Sequence, residues 1–171
     1  AHKGVEAGVA AQSNVFSNAF GTDSTMLRRL ANIGRIFKND SGIVQGYTFD
    51  TIIIPGNCYA LEDTITRIIR SDLLVGSNNN DVNTQKGLWK LIVLPTWQAA
   101  DGKNPYIIMS SEANKELRGT VLFDRTVLDV RNWVDDHTRN LLWNARARMS
   151  CGFNNWRHMI MGGADAGTTL S

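Results

Sequence analysis

The longest regular pattern of apolar and polar positions lies near the end of the chain. In "WNARARMSCGF", Trp143, Ala145, Ala147, Met149, Cys151 and Phe153 take one set of alternate positions; Asn144, Arg146, Arg148, Ser150 and Gly152 take the other. A period of two belongs to a β-strand with one dry and one wet face. A strand is therefore predicted over 141–153, with its Trp143-to-Phe153 side packed on a core. Upstream the period lengthens. After the capping residues Thr22, Asp23 and Ser24, the side chains Leu27, Leu30, Ala31, Gly34 and Phe37 recur at helical spacing. They predict an amphipathic helix over about 24–38, wetted by Arg28, Arg29, Arg35 and Lys38, and ended by "NDSG" at 39–42.

"YTFDTIIIP" (47–55) is β-branched and nearly continuous in its apolar second half, as in a strand buried on both faces, and Pro55 stops it. Leu61, Ile65, Ile68 and Ile69 then form a helical stripe over about 58–72, with Asn57 as its cap. The Asn-rich stretch "VGSNNNDVNTQKG" (75–87) is expected to be a loosely structured surface loop. A strand at 88–95 and another at 106–111, separated by an Asp-Gly turn signal, are predicted as hairpin partners. "EANKEL" reads as one helical turn. Residues 120–130 read as one long or two short strands broken near Asp124-Arg125, "NWVDDHTRN" as a polar turn, and "HMIMGG" as a short strand. Residues 1–21 are an irregular lead-in and 164–171 a flexible tail. The element order predicts an α+β fold of mixed α/β character: a central mixed sheet flanked by helices, plus C-terminal strands.

Composition narrows the function. The 171 residues carry 18 basic and 16 acidic side chains, a net charge of +2. That balance lacks the clustered positive charge of a nucleic-acid footprint, and no polybasic lipid-binding run is present. Cys58 and Cys151 are too few in a chain of this length for a disulfide framework and lack the close spacing with His of a zinc motif, and both are expected to be reduced and buried. No apolar run approaches the ~18 residues of a membrane helix. No signal-peptide core is seen at the start, and the first residue is not Met, so the chain is expected to be processed or, the favoured reading, part of a longer gene product.

Catalytic chemistry finds little support. His2, His137 and His158 show no metal-ligand spacing, and no phosphate-binding glycine motif or nucleophile elbow occurs. Asp135, Asp136 and His137 resemble a catalytic fragment but suit a solvated bend. Asp124 and Asp129 suit ion pairs with Arg125 and Arg131. Asn39-Asp40-Ser41 fits a glycosylation sequon, with nothing else pointing to secretion. The five tryptophans suit core and interface anchors. The expectation is a protein that is not an enzyme, with no catalytic, cofactor-binding or metal-binding residues.

The C-terminal third, above all "WNARARMSCGFNNWR" (143–157) and the "MGGA" behind it, resembles the closing portion of tailed-bacteriophage major capsid proteins of the Hong-Kong-97-type fold. The order of helix, strand ending in Pro55, helix, loop and strand resembles that family's axial domain, so the likeness spans about 22–163. The N-terminal arm, extension loop and long spine helix of the family are not seen, and no crosslinking residue is carried over. The resemblance implies an axial domain at 22–140, peripheral-domain strands at 141–163, and a subunit that self-assembles as pentamers and hexamers into an icosahedral shell. Such a shell encloses packaged DNA without sequence-specific contact and without a membrane. It is a component of the virion, assembled in the host bacterial cytoplasm. Loop residues Asn78, Asn79, Asn80, Asp81 and Asn83, with Arg146, Arg148 and Arg157, are the implied subunit contacts. Lacking the spine helix and extension loop, this chain alone is expected to be monomeric or weakly oligomeric. An encapsulin-like compartment shell shares the fold and is one alternative. A small α/β ligand-binding or hydrolytic domain using Asp135, Asp136, His137 and a Trp-lined pocket is the other.

Overall fold

The apolar run at 51–55 takes the middle of the molecule. In the computed structural model, which describes residues 11–22, 24–75, 81–100 and 102–163, β1 (Thr51–Pro55) is flanked on both sides in a four-stranded sheet of order β2-β1-β3-β6. β2 (Lys90–Leu94) runs parallel to β1, from Thr51 opposite Lys90 to Pro55 opposite Leu94. β3 (Tyr106–Met109) runs antiparallel on the other side, and β6 (Met159–Gly162) pairs antiparallel with β3. The chain is thus mixed α+β, with three helices around a mixed sheet.

Helix α1 (Thr25–Arg35) buries Leu27, Leu30 and Gly34 and leaves its arginines in water, as its periodicity predicts. Gly34 must be glycine because a Cβ there would lie 2.0 Å from the Phe49 ring. Helix α2 (Tyr59–Arg70) buries Leu61, Ile65 and Ile68, starts from Cys58 rather than Asn57, and forms the crossover between parallel β1 and β2. These faces meet Ile52, Ile54, Tyr106, Ile108 and Ile160 in one core cluster. Each fully buried aliphatic side chain stabilises it by about 1.5–3 kcal/mol.

The structure corrects two expectations about strand placement. The strands at 90–94 and 106–109 are not hairpin partners, because β1 lies between them. The connection passes the end of β1, where Gly56 N–H donates to the Trp97 carbonyl at 3.0 Å and Asn57 exchanges two hydrogen bonds with Ala99. The most apolar strand takes an interior position, with β2 on one edge and β3 on the other. β6, expected among peripheral strands, belongs to the main sheet. The described part of the lead-in runs along β6: Phe16 N–H donates to the Met161 carbonyl, Met161 N–H to the Asn14 carbonyl, and Phe16 is buried. This covers an edge that would otherwise stay open.

The remaining strands form a separate ribbon. Among the described residues β4 (Thr120–Val134) and β5 (Leu141–Phe153) pair only with each other, so residues 120–153 are one hairpin, and the expected boundary at 140/141 falls where its turn meets β5. Helix α3 (Ser111–Leu117) leads into it, capped by the Ser110 hydroxyl, which accepts from Ala113 N–H at 3.2 Å.

Candidate assembly interface

The alternation of β5 becomes geometry once the register is known. Directly opposed residues of an antiparallel pair share a face. Val134 opposes Leu141, Val130 opposes Ala145 and Leu122 opposes Cys151, so these join Trp143, Ala147, Met149 and Phe153 on one mainly apolar side, which Asn132 opposite Trp143, Asp124 opposite Met149 and Thr120 opposite Phe153 interrupt with polar groups. Arg131 opposes Asn144, Asp129 opposes Arg146 and Thr126 opposes Arg148 on the reverse side, with Trp133 and Phe123 toward its two ends. Two register shifts, between Asp124 and Thr126 and between Thr126 and Asp129, each admit one extra residue in β4. The strand therefore runs through the expected break near Asp124-Arg125 as a bulge, and the phase of its apolar positions is restored beyond it.

The apolar side is in water. Trp143 is 66% exposed, Phe153 73% and Leu122 68%, where packing of Trp143 to Phe153 on a core was expected. Cys151 is exposed with them, and only Cys58 is buried, which corrects the expectation for the pair. The cause is topological: the ribbon is joined to the body at its root and makes few contacts with the rest of the described chain. At about 3.4 Å per residue, β5 is roughly 45 Å long. The exposed apolar side chains are spread along that length, and contiguous exposed apolar patches on the order of a few hundred Å² are often functional.

The root is closely built. Asn154 N–H donates to the Gly119 carbonyl at 2.8 Å, and His158, fully buried, holds the Thr120 hydroxyl through Nε2 at 2.8 Å. Its Nδ1 has no hydrogen-bond partner among the described residues, and burial pushes its pKa below the usual imidazole value. A cavity of about 400 Å³ opens beside this root, lined by Phe153, Asn154, Trp156 and His158 among others.

No protein-family model matches the chain, and no curated protein matches it.

The sequence-derived contact residues separate into three groups. Arg146 and Arg148 stand exposed on the charged side of the ribbon, without an ion pair among the described residues. Asp81 is exposed, and its carbonyl accepts from Leu74 N–H at 2.8 Å. Asn83 and Arg157 turn inward and are engaged within the chain. The Asn83 amide donates to the carbonyls of Ile68 (2.6 Å) and Ser71 (2.9 Å) and accepts from Gln85 N–H, stapling the end of α2. Arg157 donates to the Lys38 carbonyl at 2.8 Å and to Asp40 at 2.6 Å while covering the Trp156 ring. Asn78, Asn79 and Asn80 lie outside the described residues.

At the ribbon's tip, Asp135 accepts from the Thr138 hydroxyl at 2.6 Å and from His137 N–H at 3.2 Å. These bonds, the hydroxyl first, hold its carboxyl below the usual carboxylate range. The triplet Asp135-Asp136-His137 thus builds a turn. Arg131 pairs with Asp129 at 2.8 Å, the expected ion pair. Asn39 closes an Asx turn by accepting from Ser41 and Ile43 N–H. The sequence placed His158 and Trp156 in no site, because the Thr120 bond of the first spans 38 residues and the Asn14 bond of the second 142.

Proposed function

We propose that this chain is a structural tile, part of the major capsid subunit of a tailed bacteriophage or prophage, which self-associates into an icosahedral shell around DNA. One observation carries the reading: the β4–β5 ribbon presents a mainly apolar face to water and, on its reverse, two arginines without an ion pair among the described residues. A two-stranded ribbon is marginally stable by itself, and exposing Trp143, Met149 and Phe153 forgoes the free energy that their burial would provide. A ribbon of this kind is completed by other chains or by further segments of its own subunit. The likeness of 143–157 to capsid proteins adds the kind of partner: sister copies, arranged as pentamers and hexamers.

The test is to express the complete product of the gene and view it by negative-stain electron microscopy. Closed shells are expected, containing DNA for a phage capsid; shells filled with protein cargo would replace this reading with an encapsulin-like compartment. A product that stays monomeric, or that a metal or nucleotide stabilises by several degrees in a thermal-shift screen, would overturn the tile reading in favour of a ligand-binding domain.

A further inference from the structure

A groove of about 650 Å³ lies between α1 and the segment before β2, remote in sequence from the ribbon. One wall is the wet side of α1, where Arg28, Asn32 and Arg35 recur at i, i+4 and i+7 and so share a face. The opposite wall is Leu88 and Trp89, the latter fixed by its indole N–H donating to Gln85 at 2.9 Å. Asp50 is the acidic side chain in the lining, and its Oδ1 already accepts from the backbone and hydroxyl of Ser111, both at 3.0 Å. Arg28 and Arg35 have no ion pair among the described residues. The whole-chain charge of +2 averages over this local row and conceals it.

We propose that this groove binds the phosphodiester backbone of nucleic acid, independent of sequence. Arg28 and Arg35 stand seven residues apart, about 10 Å along the helix axis, over which one DNA strand presents about three phosphates. Donors strung along a line match a repeating polyanion; donors converging on one point would match a single carboxylate. Guanidinium forks hold phosphate oxygens bidentately, and the amide of Asn32 adds a neutral donor between them. The proposal rests on the shell reading, which supplies enclosed DNA as the ligand.

The test is fluorescence anisotropy of the 171-residue chain with labelled 20-base-pair duplexes of two unrelated sequences, across a salt series. Comparable affinity for both duplexes is expected. The R28Q/R35Q variant should bind about tenfold more weakly and with a salt slope shallower by about two. The R70Q/K115Q variant removes the same charge from exposed positions outside the groove and should change affinity less than twofold. Both pairs are exposed, so circular dichroism should show both variants folded. Equal losses in the two variants, an unchanged R28Q/R35Q variant, no binding at all, or an oligoglutamate that binds as tightly as DNA would each overturn the proposal. If shells form from the complete gene product while R28Q/R35Q binds like the parent, the tile stands and the groove assignment falls.

Discussion

His158 fastens the ribbon to the body at the scale of a single residue. Its ring occupies the space beside Gly119, where a Cβ would come within 2.1 Å of Nδ1, so glycine is required at the ribbon's first step. Nε2 and the Thr120 hydroxyl lie 2.8 Å apart, a bond in which the neutral ring donates or accepts according to its tautomer. Burial lowers the folded-state pKa, so the folded chain resists a proton that the unfolded chain accepts near the ordinary value of about 6.5. Stability from this group is complete above that value and declines as pH falls from it toward the folded-state pKa. Scanning calorimetry should therefore show Tm falling between about pH 7.5 and 5.5. In His158→Asn the fall should be shallower. The variant should also lose about 1–3 kcal/mol at pH 7.5 through the broken Thr120 bond, at about 2–4 °C per kcal/mol for a chain of this size. A variant that keeps the parent's pH slope would show that His158 is not the titrating latch.

At the scale of elements, the ribbon's apolar side makes a prediction opposite to that of a core strand. Replacing Trp143 and Phe153 together by serine should change stability by less than about 0.5 kcal/mol per site, since both are largely exposed. The same pair should weaken concentration-dependent self-association in sedimentation velocity, because apolar interface area is removed. A Tm drop of many degrees would mean that the face is covered within the monomer. The two faces of β5 were legible in the sequence, but alternation does not say which chain covers the dry one. Reading Trp143 to Phe153 as core therefore named the right face and the wrong neighbour. α1 and α2 were legible because a helical stripe such as Leu61-Ile65-Ile68 is a local property. Strand pairing is a long-range choice, so the Asp-Gly signal suggested a β2–β3 hairpin that β1 interrupts. Asn83 escaped for a related reason: within an Asn-rich stretch, nothing local distinguishes the amide that staples α2 from the ones around it.

For the whole molecule the question is how stability is distributed between body and ribbon. The sheet β2-β1-β3-β6 encloses Ile52, Ile54, Ile108 and Ile160, all fully buried, whereas the ribbon's backbone bonds lie under side chains that water reaches on both faces. Local opening costs least where few apolar contacts must break, so the two parts should open with different free energies. Hydrogen–deuterium exchange of the 171-residue chain should find amides of β1 and β3 protected longest and those of 120–153 exchanging orders of magnitude faster, except near the root at Gly119, Thr120 and Asn154. The decisive comparison is with assembled material. Covering the apolar face of the ribbon excludes water and adds the missing contacts, so protection over 120–153 should rise toward that of the body while β1 changes little. Ribbon amides already as slow as those of β1 in the isolated chain would mean that the strand pair needs no partner. Ribbon amides equally fast before and after assembly would place the subunit contact elsewhere, and with either result the ribbon would cease to explain how copies of this chain hold together.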